Sequence, residues 1–112
     1  VKTTAGKSAR KIKIISQIDR RIPLDDIARN MDMDFLELLD EVESIVSTGT
    51  KLNLNYYINT QIDDFIIDEI FDWFKSESVE GTLDEALGAL GSDYSETEIR
   101  LCRLKFLCEV AS

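Results

Sequence analysis

The chain has 112 residues, 44% hydrophobic and 31% charged, with 13 basic and 22 acidic groups and a formal net charge of −9. That is enough apolar material for one domain with a real core or two small helical lobes, and no apolar run approaches the ~20 residues a bilayer-crossing helix needs. Histidine is absent, which removes the usual general base and the commonest zinc ligand and excludes Ser/His/Asp and Cys/His nucleophilic catalysis.

The sequence begins at Val1 rather than Met, and Val1 to Lys7 reads as neither a targeting signal nor a structured element. The expectation is therefore a fragment of a longer protein, with residues 1–7 a linker and residues 8–112 a single helical domain. From Lys7 to Arg21 a first helix is predicted, with Ser8 as its cap and Ile12, Ile15, Ile18 and Ile22 at helical spacing. Pro23 breaks it, and Leu24 to Met31 makes a second, short amphipathic run. Asp32-Met33-Asp34 forms a turn, where Asp32 suits a positive φ better than most residues do. Phe35 then opens a third helix that Gly49 is placed to end. This is the layout of a helix-turn-helix, occupying residues 8–49.

Residues 50–112 supply a connector and C-terminal helices. Leu52, Leu54 and Tyr56 alternate with Lys51, Asn53 and Asn55, the pattern of a short strand or wing-like connector. Ile62 to Glu77 returns to helical spacing, with Phe65, Ile70, Trp73 and Phe74 on a wide apolar face. Thr82 with Glu85 and Ser95 with Glu98 read as capping boxes for the last two helices. The stripe of the last helix is Ile99, Cys102, Phe106 and Val110. The fold class is all-α, with about six helices.

Charge is unevenly distributed. Residues 1–22 carry seven basic groups against Asp19, a balance of +6 that leaves −15 on the remainder. Lys7, Arg10, Lys11, Lys13, Arg20 and Arg21 are thus candidates for contact with nucleic-acid phosphates, the alternative being a basic helix docked on an acidic body or simply solvated. The third helix, where a helix-turn-helix reads base edges, is acidic. Its Glu37, Asp40 and Glu41 are candidates for binding a protein partner.

Other features have plainer readings. Asp25-Asp26 and Asp63-Asp64 point about 100° apart on a helix, which suits first-turn dipole stabilisation better than a shared metal. The aromatic residues Phe65, Phe71, Trp73 and Phe74 lie among acids, which favours core packing or a buried interface over base stacking. Tyr56-Tyr57, beside Lys51 and three asparagines, has a contact role as its alternative to packing. Arg100 is expected to pair with Glu96, and Arg103 with Glu109 or the acidic body. Cys102 and Cys108, about 9 Å apart along one helix, cannot bond to each other and read as core thiols in a reducing compartment.

The segment Leu24–Val46, the connector Lys51-Leu52-Asn53-Leu54 and the ending Leu83–Leu107 together resemble the helix-turn-helix module at the C-terminus of bacterial RecQ-type DNA helicases. The likeness is carried by Ile27-Ala28, by the hydrophobic Met33 after the turn, by the Leu-x-x-Ala-Leu run Leu83–Leu87, and by Tyr94 ahead of Glu98-Ile99-Arg100-Leu101. Where relatives often place Ser or Thr at the start of the third helix, this chain has Phe35, Leu36 and Glu37, which are poor readers of base edges. The resemblance implies a non-catalytic accessory domain of an ATP-dependent helicase of DNA repair and recombination, in the bacterial cytoplasm near the nucleoid. ATP and magnesium would belong to a separate motor, with no cofactor in these residues. The implied partners are forked or single-stranded DNA bound without sequence preference, the rest of the helicase and other repair proteins, and no membrane. The second reading is an acidic interaction or autoregulatory module that docks on the motor or on another repair protein. A free-standing transcriptional regulator is a third, weakened by the non-Met start and the poor recognition helix.

Overall fold

The computed structural model describes the backbone of residues 2–110 and the side chains of residues 9–110. Seven helices occur among the described residues: α1 (Lys2–Asp19), α2 (Leu24–Asn30), α3 (Phe35–Ser47), α4 (Asn55–Gln61), α5 (Asp64–Ser76), α6 (Leu83–Leu90) and α7 (Glu96–Glu109). No strand occurs among the described residues, so the connector is extended backbone without a sheet. Its alternation holds from Lys51 to Leu54, with Leu52 and Leu54 buried and Lys51 and Asn53 exposed, but Asn55 and Tyr56, expected to continue it, are half-buried in α4. The chain divides into two compact units between Tyr57 and Ile58, within α4.

In the first unit the helix-turn-helix packs around one apolar core. Leu24, Ile27 and Ala28 of α2 are buried, as are Leu38, Leu39, Val42, Ile45 and Val46 of α3. Helix α1 contributes Ile14 and Ile18, with Gln17 buried between them. This shifts the expected stripe: Ile12 is 65% exposed and Ile15 half-buried. Ser8 is also not a cap, because α1 already runs from Lys2.

Both turns between these helices use a left-handed residue that is not glycine. Arg21 has φ 60° and Asp32 has φ 55°. After Arg21 the amide of Ile22 reaches back to the carbonyl of Gln17, and after Asp32 that of Met33 reaches Ala28, both at 3.0 Å. Each is the six-to-one bond of a Schellman ending, which requires the left-handed residue to reverse the chain. Pro23 caps α2 with φ −55°, the value its ring imposes. Asp34 and Glu37 form a capping box on α3, the Glu37 carboxylate accepting from the Asp34 amide at 3.0 Å. Gly49, at φ 99°, follows the last turn of α3 as expected.

The helix expected from Ile62 to Glu77 proves to be the second of two, because Asp63 interrupts α4 and caps α5. In the second unit α7 packs against both α5 and α6. Its Ile99, Arg100, Leu101, Cys102, Leu104 and Cys108 are buried, so it is covered on most of its circumference rather than along one stripe. Val110, expected on that stripe, is 50% exposed. Phe74 and Phe106 stack, with Phe71 edge-on to Phe106. Phe65, expected in core packing or a buried partner interface, is 63% exposed and so not in the core of its unit.

The Ser95–Glu98 capping box is complete. The Thr82 box is half built: Thr82 accepts from the Glu85 amide, but the Glu85 carboxylate turns to the preceding loop. There it accepts the amides of Val79, Glu80 and Gly81 and the Ser78 hydroxyl. These donors, the Val79 amide foremost, hold its pKa down to about 2.

Candidate nucleic-acid interface

The basic residues of α1 and of the turn that follows it divide into two groups. Arg10 is tied to Glu41 of α3 by an ion pair at 2.8 Å. Lys13, Arg20 and Arg21 are exposed and Lys11 is half-buried. None of these four pairs with a carboxylate among the described residues. Lys7 carries a side chain outside the described residues.

Lys13 of α1 and Arg20, the first residue past its end, lie seven residues apart and line a shallow groove of ≈ 380 Å³. Ile12, Ser16, Gln17, the last α2 residue Asn30 and the following Met31 complete it, and no carboxylate lines it. Gln17 locks the two helices: its amide donates to the Lys13 carbonyl at 3.2 Å and its oxygen accepts from Asn30 at 2.9 Å. Sequence reasoning missed Ser16, Gln17 and Asn30. The available signal was Gln17, a polar residue between Ile14 and Ile18 on the buried stripe, which needs a polar partner.

The acidic residues of α3 are differently employed. Glu37 is spent on the capping box and Glu41 on Arg10, while Asp40 is exposed. With Met33 and Arg10 they line a second shallow groove of ≈ 250 Å³. At the helix start Leu36 is 47% exposed and Phe35 packs against Tyr57, ring centroids 6.2 Å apart. No side chain of this first turn offers a hydrogen-bond donor to a base edge.

Tyr56 and Tyr57 are structural anchors. The Tyr56 hydroxyl donates to the Ile22 carbonyl at 2.5 Å and that of Tyr57 to the Asp25 carboxylate. Burial pushes the Tyr56 phenol up to about 12, and burial followed by the bond to Asp25 raises that of Tyr57. Asp25 therefore serves a tyrosine as well as the first turn of α2.

The remaining candidates resolve in the second unit. Arg100 pairs with Glu96 at 3.6 Å, as its spacing predicted. Glu109 pairs with Lys105 at 2.6 Å rather than with Arg103, whose guanidinium donates to the Gly81 carbonyl at 2.8 Å. The cysteines are both buried, and burial pushes the Cys102 thiol up to about 12, far from a reactive thiolate. No group of three or more cysteine or acidic residues suited to a metal ion occurs among the described residues. Nor is any described helix long and apolar enough to cross a membrane.

Comparison with curated proteins gives no match. A family model does match: the RecQ-1-like, helix-turn-helix domain, over residues 8–58. The matched stretch takes in most of α1, both turns, α2, α3, the connector and the Tyr56-Tyr57 anchor, and ends one residue past the first compact unit. The likeness read in Leu83–Leu107 lies beyond it. A helix-turn-helix domain of this family is non-catalytic in itself. Residues 8–58, a little under half of the chain, are thus similar to the RecQ-1-like helix-turn-helix domain.

Proposed function

We propose that the chain is an accessory domain of a RecQ-type DNA helicase, holding forked or single-stranded DNA near a separate motor without reading its sequence. Helix α1, not α3, is the contacting element. The observation that supports this is the difference in availability: Lys11, Lys13, Arg20 and Arg21 have no carboxylate partner among the described residues, while Glu37 and Glu41 of α3 are engaged within the unit. Phosphate contacts by such cations position a protein on DNA and carry no base information. ATP and magnesium are assigned to the motor, and repair and recombination are its setting.

Fluorescence anisotropy with labelled duplex, single-stranded and forked oligonucleotides, at low and moderate salt, tests the proposal. Binding should favour forked or single-stranded DNA and weaken with salt. Replacing Lys11, Lys13, Arg20 and Arg21 by Ala should flatten the log–log salt slope by roughly 3, at about 0.7–0.9 per phosphate contact. Unchanged binding by that variant would remove α1 from the interface.

The groove lined by Glu37, Asp40 and Glu41 favours a second reading, an acidic module that docks on the basic channel of the motor or on another repair protein. Charge reversal at those three positions would then disrupt a protein complex and leave DNA affinity unaltered.

A further inference from the structure

We propose that the groove between α1 and the C-terminal end of α2 is a subsite for nucleic-acid backbone phosphate. This rests on the reading that α1 contacts DNA, and it fixes where. Lys13 and Arg20 stand two helical turns apart, about 10.5 Å along the axis, on the rim of one groove. That separation suits a chain of repeated anions better than a single carboxylate.

Besides the cations and the apolar Ile12 and Met31, the groove presents neutral hydrogen-bonding groups rather than acids. Ser16 offers a hydroxyl, and Asn30 an amide with two N–H bonds, of which Gln17 takes one. Gln17 is itself only 7% exposed. A polar side chain buried in an apolar stripe costs stability unless its bonds are met, and here meeting them holds Asn30 beside the cations. The result is a pre-positioned donor flanked by positive charge, the setting in which charge-assisted bonds to phosphate oxygens are strong. Helix α2 thus contributes through its last residue, although neither helix was expected to bind through an asparagine.

The test alters the groove without touching any cation. Asn30→Asp keeps the shape, adds one negative charge, and leaves Gln17 able to turn its amide and donate to the new carboxylate. Asn59→Asp, at an exposed position in the second unit, is the control for net charge. Binding of labelled single-stranded and forked oligonucleotides is measured across salt, with thermal unfolding reporting the fold. Asn30→Asp should weaken binding severalfold and flatten the salt slope by about 0.7 on a single strand, while Asn59→Asp leaves the slope unchanged. If Asn30→Asp fails to fold, Ser16→Asp on the exposed face of α1 makes the same measurement. Equal effects of the groove and control variants would overturn the subsite and leave the α1 reading standing. Absence of wild-type binding at low salt would overturn both. Displacement of DNA by polyglutamate as readily as by unlabelled oligonucleotide would overturn the phosphate assignment.

Discussion

Helices α1 and α3 carry opposite charges in one compact unit, yet the larger difference between them is what those charges are doing. On α3 the acids read as a binding face are drawn into the structure: Glu37 closes a helix cap and Glu41 holds Arg10. On α1 only Arg10 is so committed, and Lys13 and Arg20 frame a groove without an acid. Counting charge along a sequence gives its sign but not its availability, because capping and ion pairing consume individual groups at short range. In this unit the acidic helix is the more occupied and the basic helix the more open.

The comparison depends on a common frame, and the largest expected effect comes from breaking it. Leu38 is fully buried in the core shared by the three helices. Leu38→Ala should cost about 2–5 kcal/mol in urea denaturation followed by circular dichroism, and should remove DNA binding along with the fold. Leu38→Met, which conserves volume, should cost less than about 1.5 kcal/mol and leave binding in place.

A smaller effect sharpens the contrast directly. Glu41→Gln releases Arg10, so the salt slope on duplex DNA should steepen by about 0.9. The increment should vanish in an Arg10→Ala background. If it persists there, Glu41 acts by its charge alone and the two helices are not coupled through the pair. Stability should change by at most about 1 kcal/mol, as for an exposed ion pair.

The smallest effect separates stability from binding at one residue. Arg21 occupies the left-handed region at φ 60°, where a side chain is strained and glycine is not. Arg21→Gly should raise the unfolding temperature slightly, by no more than about 1 kcal/mol of stability after glycine's greater chain entropy is counted. The same change deletes an exposed cation, so the salt slope should fall as the melting temperature rises. A loss of stability would mean that the Arg21 side chain supports the turn.

Much of the scaffold was legible because it rests on local rules. Apolar spacing located α2, α3, α5, α6 and α7 but not the short α4, Pro23 and Gly49 marked boundaries, and Ser95 with Glu98 announced a cap that formed as read. The turn at Asp32 was also readable, since few residues tolerate positive φ. The misreadings share a cause. Ile12, Phe65 and Val110 fit a helical period as well as Ile14 does, and only the packing of neighbouring elements decides which face is covered. Thr82 and Glu85 have the spacing of a box, but a loop of free amides at Val79, Glu80 and Gly81 won the carboxylate.

The sequence by itself determined the all-helical class, the helix-turn-helix order, the charge asymmetry between the first 22 residues and the rest, and the absence of histidine chemistry. These follow from residue type and spacing, which act over a turn or two of chain. The tertiary structure decided the use of each group: Arg10 joined to Glu41 thirty-one positions away, Tyr56 and Tyr57 fastened to Ile22 and Asp25, and Gln17 joined to Asn30 across two helices. Which cations stay available to a phosphate is settled by such distant pairings, because hydrogen bonds and ion pairs depend on proximity in space and not on separation in sequence.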